Sequence, residues 1–280
     1  MSHRRGGGPV GPPRWTDRYF DLLSARLAEV KECERAAMAQ AAAALAETLA
    51  GDGLIYVFGT GHSTALMMDV FYRAGGLILV QPIFDERVLL HHVPVTETSE
   101  WERKEGWAAE AFQRSGARAG DAIIIISTSG RNAAPVDVAL AAKAAGVKVI
   151  ALTGRTYAAT LTSRHSSGKR LHEVADIVVD THADPGDAAV EVPGLAQKVA
   201  PMSTAIGSAI LQAVILQAIA TLVERGVTPP VYMSANYPGG DEHNQAVLAR
   251  YQDRIRYLGG GPTGPPPILG GGPTGPPRIR

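Results

Sequence analysis

Cysteine is almost absent from this chain. Cys33 stands alone among 280 residues, so no disulfide can close within the chain and no cysteine pair is available for redox or metal chemistry. A reducing compartment is the simple expectation. Net charge is missing too: Lys and Arg number 27, as do Asp and Glu, leaving no global field to attract nucleic acid or an anionic membrane. Any anion must be caught by a local site. The most apolar stretch, residues 205–223, is interrupted by Gly207, Ser208, Gln212 and Gln217 and runs into Glu224 and Arg225. That pattern predicts a buried helix and no membrane span. The opening MSHRRGGGPVGPPR has charges but no apolar run behind them, so no signal peptide is expected and the cytoplasm is the expected location. The histidines at 91, 92, 165, 172 and 182 show no His-Glu-x-x-His spacing, and no Cys-x-x-Cys occurs, so no metal is expected.

What is present suits one large globular domain or two small ones, with 45% hydrophobic residues to build a core. Nearly the same phrase occurs at both ends, GGGPVGPP at 6–13 and GGGPTGPP at 259–266 and 270–277. Gly and Pro at this density cannot bury a core, so residues 1–15 and 259–280 read as disordered tails. Between them, Thr16 is placed to cap one long helix over residues 17–50, stopped by Gly51 and Gly53. Strands are predicted at 54–58, 77–80, 122–126, 147–152 and 176–179, and helices at 63–72, 103–114, 133–145 and 198–225. Runs such as Ile123-Ile124-Ile125-Ile126 lack polar alternation, as strands covered on both faces do. The expected fold is α/β: a three-layer αβα sandwich on a doubly wound parallel sheet, with a long N-terminal helix. Residues 229–258 carry a polar run before a short helix, expected as a surface loop or lid over the site.

Two junctions can hold an anion. The first predicted strand runs into Gly59-Thr60-Gly61-His62-Ser63 and a helix, and the third into Ser127-Thr128-Ser129-Gly130-Arg131-Asn132 and another. Glycine lets backbone approach a ligand, while free N–H groups and the helix dipole favour negative charge. Hydroxyls donate to phosphate oxygens, and Arg131 adds charge. Neither loop fits Gly-x-Gly-x-x-Gly, and no Gly-x-x-x-x-Gly-Lys-Ser/Thr occurs, which disfavours nicotinamide cofactors and nucleoside triphosphates. A phosphomonoester fits better, and no cofactor is expected.

The loop Ser127 to Asn132, its helix and Val147-Lys148-Val149-Ile150-Ala151-Leu152-Thr153 resemble the sugar isomerase (SIS) domain over roughly residues 17–225. In that family such a loop holds the phosphate of a sugar phosphate, which makes residues 16–228 the expected phosphosugar domain. Phe58 to Ser63, Phe71-Tyr72-Arg73-Ala74-Gly75-Gly76, Arg164-His165-Ser166-Ser167-Gly168-Lys169 and the run from Ser234 to Asn244 resemble the subgroup that includes an actinomycete N-acetylglucosamine-6-phosphate dehydratase. Glu102-Arg103-Lys104-Glu105-Gly106 is similar to the Glu-Gly segment of N-acetylmuramic acid 6-phosphate etherases, which eliminate across C2 and C3.

These resemblances imply an amino-sugar 6-phosphate lyase that removes the C2 proton of N-acetylglucosamine 6-phosphate and expels the C3 hydroxyl. An aldose-ketose isomerase of the phosphoheptose type shares the first step, and a non-catalytic phosphosugar sensor is a third alternative. Glu105 is the first candidate for the base and Glu102 the second, with His62 as an acid for the leaving hydroxyl. Thr60, Gly61, Ser63, Ser127, Thr128, Ser129, Arg131 and Asn132 are the expected phosphate and sugar contacts. Glu191, Lys198 and Ser203 are candidates in a passage that closes the sugar pocket in the family. Asp187 reads more readily as a turn residue, and Asp69 as a weak base candidate. No helix-turn-helix pattern accompanies these features, so no nucleic-acid partner is expected. The apolar helices exceed what one sheet can bury, which predicts a homodimer or homotetramer with sites at subunit boundaries.

Overall fold

The computed structural model describes residues 14–258; the tail expectations, apart from Arg14 and Trp15, lie outside this range. In chain order the elements are α1 (Trp15–Cys33), α2 (Arg35–Ala50), β1 (Ile55–Gly59), α3 (Ser63–Val70), β2 (Val80–Pro82), α4 (Glu97–Trp101), α5 (Trp107–Arg114), β3 (Ala122–Ile126) and α6 (Ala133–Ala144). There follow β4 (Lys148–Thr153), α7 (Arg155–Ala159), α8 (Leu171–Val174), β5 (Ile177–Asp180), β6 (Ala188–Val190), β7 (Val199–Pro201), α9 (Ser203–Glu224) and α10 (Gly240–Tyr251).

Five parallel strands form one sheet in the order β2-β1-β3-β4-β5. Every residue of β1 and β3 is buried, because helices cover both faces: α2, α3 and α9 on one, α5, α6 and α8 on the other. This is the expected doubly wound αβα sandwich. The connections from β1 and β3 run to opposite sides, so the C-terminal ends of these two neighbours flank the topological switch point, where open α/β sheets bind ligands.

Several elements differ from the sequence-based expectation. The long N-terminal helix is two helices, broken at Glu34, whose carboxylate accepts the Asp180 N–H at 3.1 Å and meets His182 Nε2 at 3.0 Å. Glu34 has φ −101° and ψ 9°, yet its N–H still donates to Val30 and its carbonyl accepts from Met38, so the two helices meet at a bend there. Thr16 lies inside α1, which begins at Trp15 with Arg14 at its cap. The stretch at 77–80 pairs as a strand only from Val80, while Leu77 bridges Val231. Residues 102–106 form a turn ahead of α5, with Gly106 at a φ of 91°. Lys198 belongs to a two-stranded antiparallel hairpin, β6–β7, and α9 starts five residues later.

Among the described residues, α9 alone is long and apolar enough to cross a membrane. Its buried face, including Ile206, Ile210, Leu211 and Val214, packs against α2 and α3 in the core. Residues 229–258 pack along the edge strand: Tyr232 exchanges backbone hydrogen bonds with Gly75 and Gly76, and Tyr257 Oη donates to the Pro82 carbonyl at 2.7 Å.

Candidate functional site

A cavity of about 650 Å³ opens at the switch point. The β1 loop contributes Thr60, His62 and Ser63, and the β3 loop Ser127, Thr128, Ser129 and Asn132. Glu102 forms part of the wall, with Tyr19, Tyr157, the hairpin base at Gly186, Asp187 and Pro201, and the start of α9 completing it. None of residues 229–258 lines it. A second hollow of about 270 Å³ lies beside β2, between Tyr56, Gln81 and Arg256, and holds none of the predicted site residues.

The β3 loop is built to leave donors free. Its carbonyls are occupied: Thr128 accepts from Gly154 N–H at 3.0 Å and Gly130 from Leu171 N–H at 2.8 Å. Gly130 has a φ of 59°, and a Cβ there would stand 2.9 Å from Thr153 Oγ1, so neither the turn nor its packing admits a side chain without strain. The backbone N–H groups of Thr128, Ser129, Arg131 and Asn132 have no acceptor among the described residues. Asn132 occupies the cap position of α6 without capping it; its Nδ2 donates instead to Glu102 Oε2 at 2.8 Å. At the start of α6, the Ala134 N–H donates to the Glu102 carbonyl at 3.1 Å, and Pro135 has no N–H. The result is a nest of unused donors at an uncapped helix start, the environment that a phosphate dianion requires.

The β1 loop is different. Gly61 N–H donates to the Val88 carbonyl at 3.0 Å, Ser63 N–H to Thr60, and Thr64 closes on the Gly61 carbonyl through both its N–H and its hydroxyl. The N–H groups of Thr60 and His62 have no acceptor among the described residues, two against four in the β3 loop. A Cβ on Gly61 would stand 2.9 Å from Glu102 Oε1, so this glycine makes room for the carboxylate.

Glu102 is half-buried between the two loops. Burial pushes its carboxyl above the ordinary glutamate value, against the pull of hydrogen bonds from Thr60 and Asn132 and of the Arg103 and Arg164 charges. Such a group takes up a proton more readily than a solvated glutamate. Glu105, three residues on, is exposed and outside the cavity. Both its oxygens are held by Ser166, through the N–H and the hydroxyl at 2.6 Å each, and these bonds draw its pKa down. His62 is exposed at the cavity wall with no side-chain partner among the described residues.

The remaining candidates separate clearly. Ser203 lines the cavity, but its hydroxyl and N–H both donate to Asp187, at 2.6 and 3.0 Å, which anchors the start of α9. Arg131 turns away, donating from Nη2 to Thr162 Oγ1 at 3.3 Å, and does not line the cavity. Glu191 and Lys198 pair with each other at 3.6 Å beyond the hairpin strands, also outside it. Asp69 is bound by Ser208, Gln212 and Arg73, fastening α3 to α9. His91, His92 and His243 engage Glu86, Glu97 and the Val231 carbonyl, away from the cavity. Among the described residues no group of His, Cys, Asp and Glu is arranged to hold a metal.

Sequence reasoning missed Tyr19 and Tyr157 as wall residues, and it read Asp187, which stands with Gly186 and Pro201 in the wall, as a turn residue. No local pattern marks a tyrosine on the first turns of α1 as facing a loop more than a hundred residues away.

Residues 18–154 match the SIS domain family model. A UPF0309 protein of Geobacillus thermodenitrificans is 44% identical over 242 residues, 86% of this chain and 97% of that protein. A UPF0309 protein of Shouchella clausii is 41% identical over 244 residues, 87% and 99% of the two chains. Among solved structures, phosphoheptose isomerase of Neisseria gonorrhoeae superposes with a TM-score of 0.49 at 19% identity, covering 74% of this chain and 97% of its own. With the SIS match at the switch-point loops and two relatives alike along nearly their whole length, the chain belongs to the UPF0309 proteins of the SIS domain family.

Proposed function

We propose that this protein is an amino-sugar 6-phosphate lyase that dehydrates N-acetylglucosamine 6-phosphate. The observation that carries the reading is a half-buried carboxylate, Glu102, hydrogen-bonded to the last residue of a loop whose backbone donors are free. The phosphate rests on the N–H groups and hydroxyls at residues 127–133. The opened sugar then extends toward Glu102 and His62. Glu102 takes the C2 proton, which the neighbouring C1 carbonyl acidifies, and the electron pair left at C2 forms the C2–C3 double bond as the C3–O bond breaks. His62, when protonated, gives its proton to the departing oxygen, which leaves as water. Both side chains then exchange their protons with solvent, and no redox partner is involved.

Aldose-ketose isomerisation is the second reading, and one feature favours it. Of the two carboxylates in the wall, Asp187 is already bound to Ser203, and a single base suffices to move a proton from C2 to C1. Incubation with N-acetylglucosamine 6-phosphate followed by mass spectrometry tests the lyase, whose product is lighter by one water. The isomerase needs an oxygen at C2, so it is tested with 2-hydroxy aldose phosphates, whose ketose isomers have unchanged mass and an altered NMR spectrum. If both kinds of substrate stay untouched, both readings are refuted and a phosphosugar sensor is left.

The same proposal includes a homo-oligomer. On the face of α9 opposite the core, Ala209, Ala213, Leu216 and Val223 form an apolar stripe, with Leu216 66% and Val223 59% exposed, and Met68 of α3 is 56% exposed. Sedimentation is expected to show a dimer or tetramer at micromolar concentration; a monomer there would refute this part.

A further inference from the structure

Residues 164–169 line no part of the cavity, yet they fasten the turn that carries Glu102 and the loop residue that meets it. Arg164 N–H donates to the Arg131 carbonyl at 2.8 Å, and its Nη1 to Asn132 Oδ1 at 3.0 Å. His165 Nε2 lies 3.0 Å from Asp137 Oδ1 on α6, both side chains less than a tenth exposed at 8% and 9%. The other Asp137 oxygen accepts the Gly106 N–H at 2.7 Å, which pins the turn that follows Glu102. Ser166 grips Glu105 in the same turn.

The consequence lies in the Asn132 amide, which has one accepting end and one donating end. With Oδ1 engaged by a guanidinium, Nδ2 must face Glu102, where it donates at 2.8 Å. The flipped amide would set oxygen against a carboxylate and N–H against a cation, so both contacts oppose it. Arg164 thus selects the donor that the carboxylate sees.

We propose that Arg164 is a positioning residue, which acts through Asn132 to orient and hold ionised the Glu102 carboxylate, with the buried His165–Asp137 pair anchoring the segment that carries it. This rests on the reading of Glu102 as the base. The polar and charged groups around Glu102 are Thr60 from the β1 loop, Asn132 from the β3 loop, Arg103 from its own turn and Arg164, with His62 elsewhere on the cavity wall. Arg103 supplies charge without touching Asn132, so it separates an effect of charge alone from an effect relayed by the amide.

The test is an NMR titration of protein carrying glutamate labelled with ¹³C at the side-chain carboxyl, the Glu102 signal being identified by its loss in Glu102→Gln. In Arg164→Ala the Glu102 midpoint is expected to rise by about 0.5–1 pH unit, because a cation and the oriented donor are lost together. Arg164→Lys, with charge but no planar fork, should fall between, and Arg103→Ala should move the midpoint less than Arg164→Ala. Equal midpoints in wild type and Arg164→Ala, or an equal shift in Arg103→Ala, would overturn the proposal. No substrate enters the titration, so a shifted midpoint in a protein that turns over no phosphosugar upholds the positioning role and refutes only the proposed reaction.

Discussion

The loops that follow β1 and β3 share a glycine in the left-handed region, hydroxyl side chains and a helix behind them. Folded, they differ in where their backbone donors go. The β1 loop gives the Gly61 N–H to Val88 and closes Ser63 and Thr64 on itself, leaving the Thr60 and His62 N–H groups without an acceptor among the described residues, whereas the β3 loop ties down the Thr128, Gly130 and Arg131 carbonyls and leaves four such N–H groups. Gly61 yields space to Glu102, and Gly130 yields space to Thr153. The difference between the two loops thus lies in the partner of each N–H, which glycine content does not reveal.

If the β1 side carries the chemistry, the largest effect belongs to Glu102→Gln, where turnover should fall by about 10²- to 10⁴-fold, as for loss of a general base. The wild-type rate should fall on acidification through a midpoint above the ordinary glutamate value, because the base must be ionised and burial raises its pKa. That acid limb should be missing from the residual activity of the variant. If the β3 side carries the phosphate, Thr128→Ala with Ser129→Ala should weaken sugar 6-phosphate binding by roughly 10- to 100-fold, since a hydrogen bond to a charged group contributes about 1.5–3 kcal/mol. Saturating substrate should restore most of the rate, the reverse of the Glu102 result. Gly130→Ala is expected to lower stability by about 1–2 kcal/mol in a denaturant melt, for the left-handed φ alone. Lys198→Ala should be nearly silent, changing stability by less than about 0.5 kcal/mol, because its ion pair among the described residues, with Glu191, is exposed. A strong loss of turnover in Lys198→Ala would show that the hairpin reaches the substrate.

The sheet was legible from sequence because its strands are unbroken apolar runs: β3 falls on the expected residues and β1, β4 and β5 within one residue of them. The break at Glu34 was not legible, since Lys31, Glu32, Glu34 and Arg35 all suit a helix and the interruption comes from β5, almost 150 residues away. The hairpin was hidden for a related reason: its three-residue strands pair only with each other and carry no long alternation. At the site, hydroxyls and glycines located both loops but not their unequal roles. Glu105 was expected ahead of Glu102 from the resemblance of its Glu-Gly segment, and nothing local separates two glutamates at the start of a helix expected over 103–114. The turn at Gly106 delays that helix to Trp107, with Glu102 at the cavity and Glu105 on Ser166. Arg164 was singled out only as part of a motif, since nothing local says that its guanidinium meets an asparagine 32 positions earlier.

The division of labour between the two loops is tested most directly by calorimetric titration of Glu102→Gln with N-acetylglucosamine 6-phosphate. The expected result is an affinity within about threefold of an inactive-substrate control on the wild type, with turnover reduced at least about 10²-fold, since the phosphate contacts lie on the β3 loop. Affinity lost as completely as in the Thr128→Ala, Ser129→Ala variant, or turnover left intact, would contradict it.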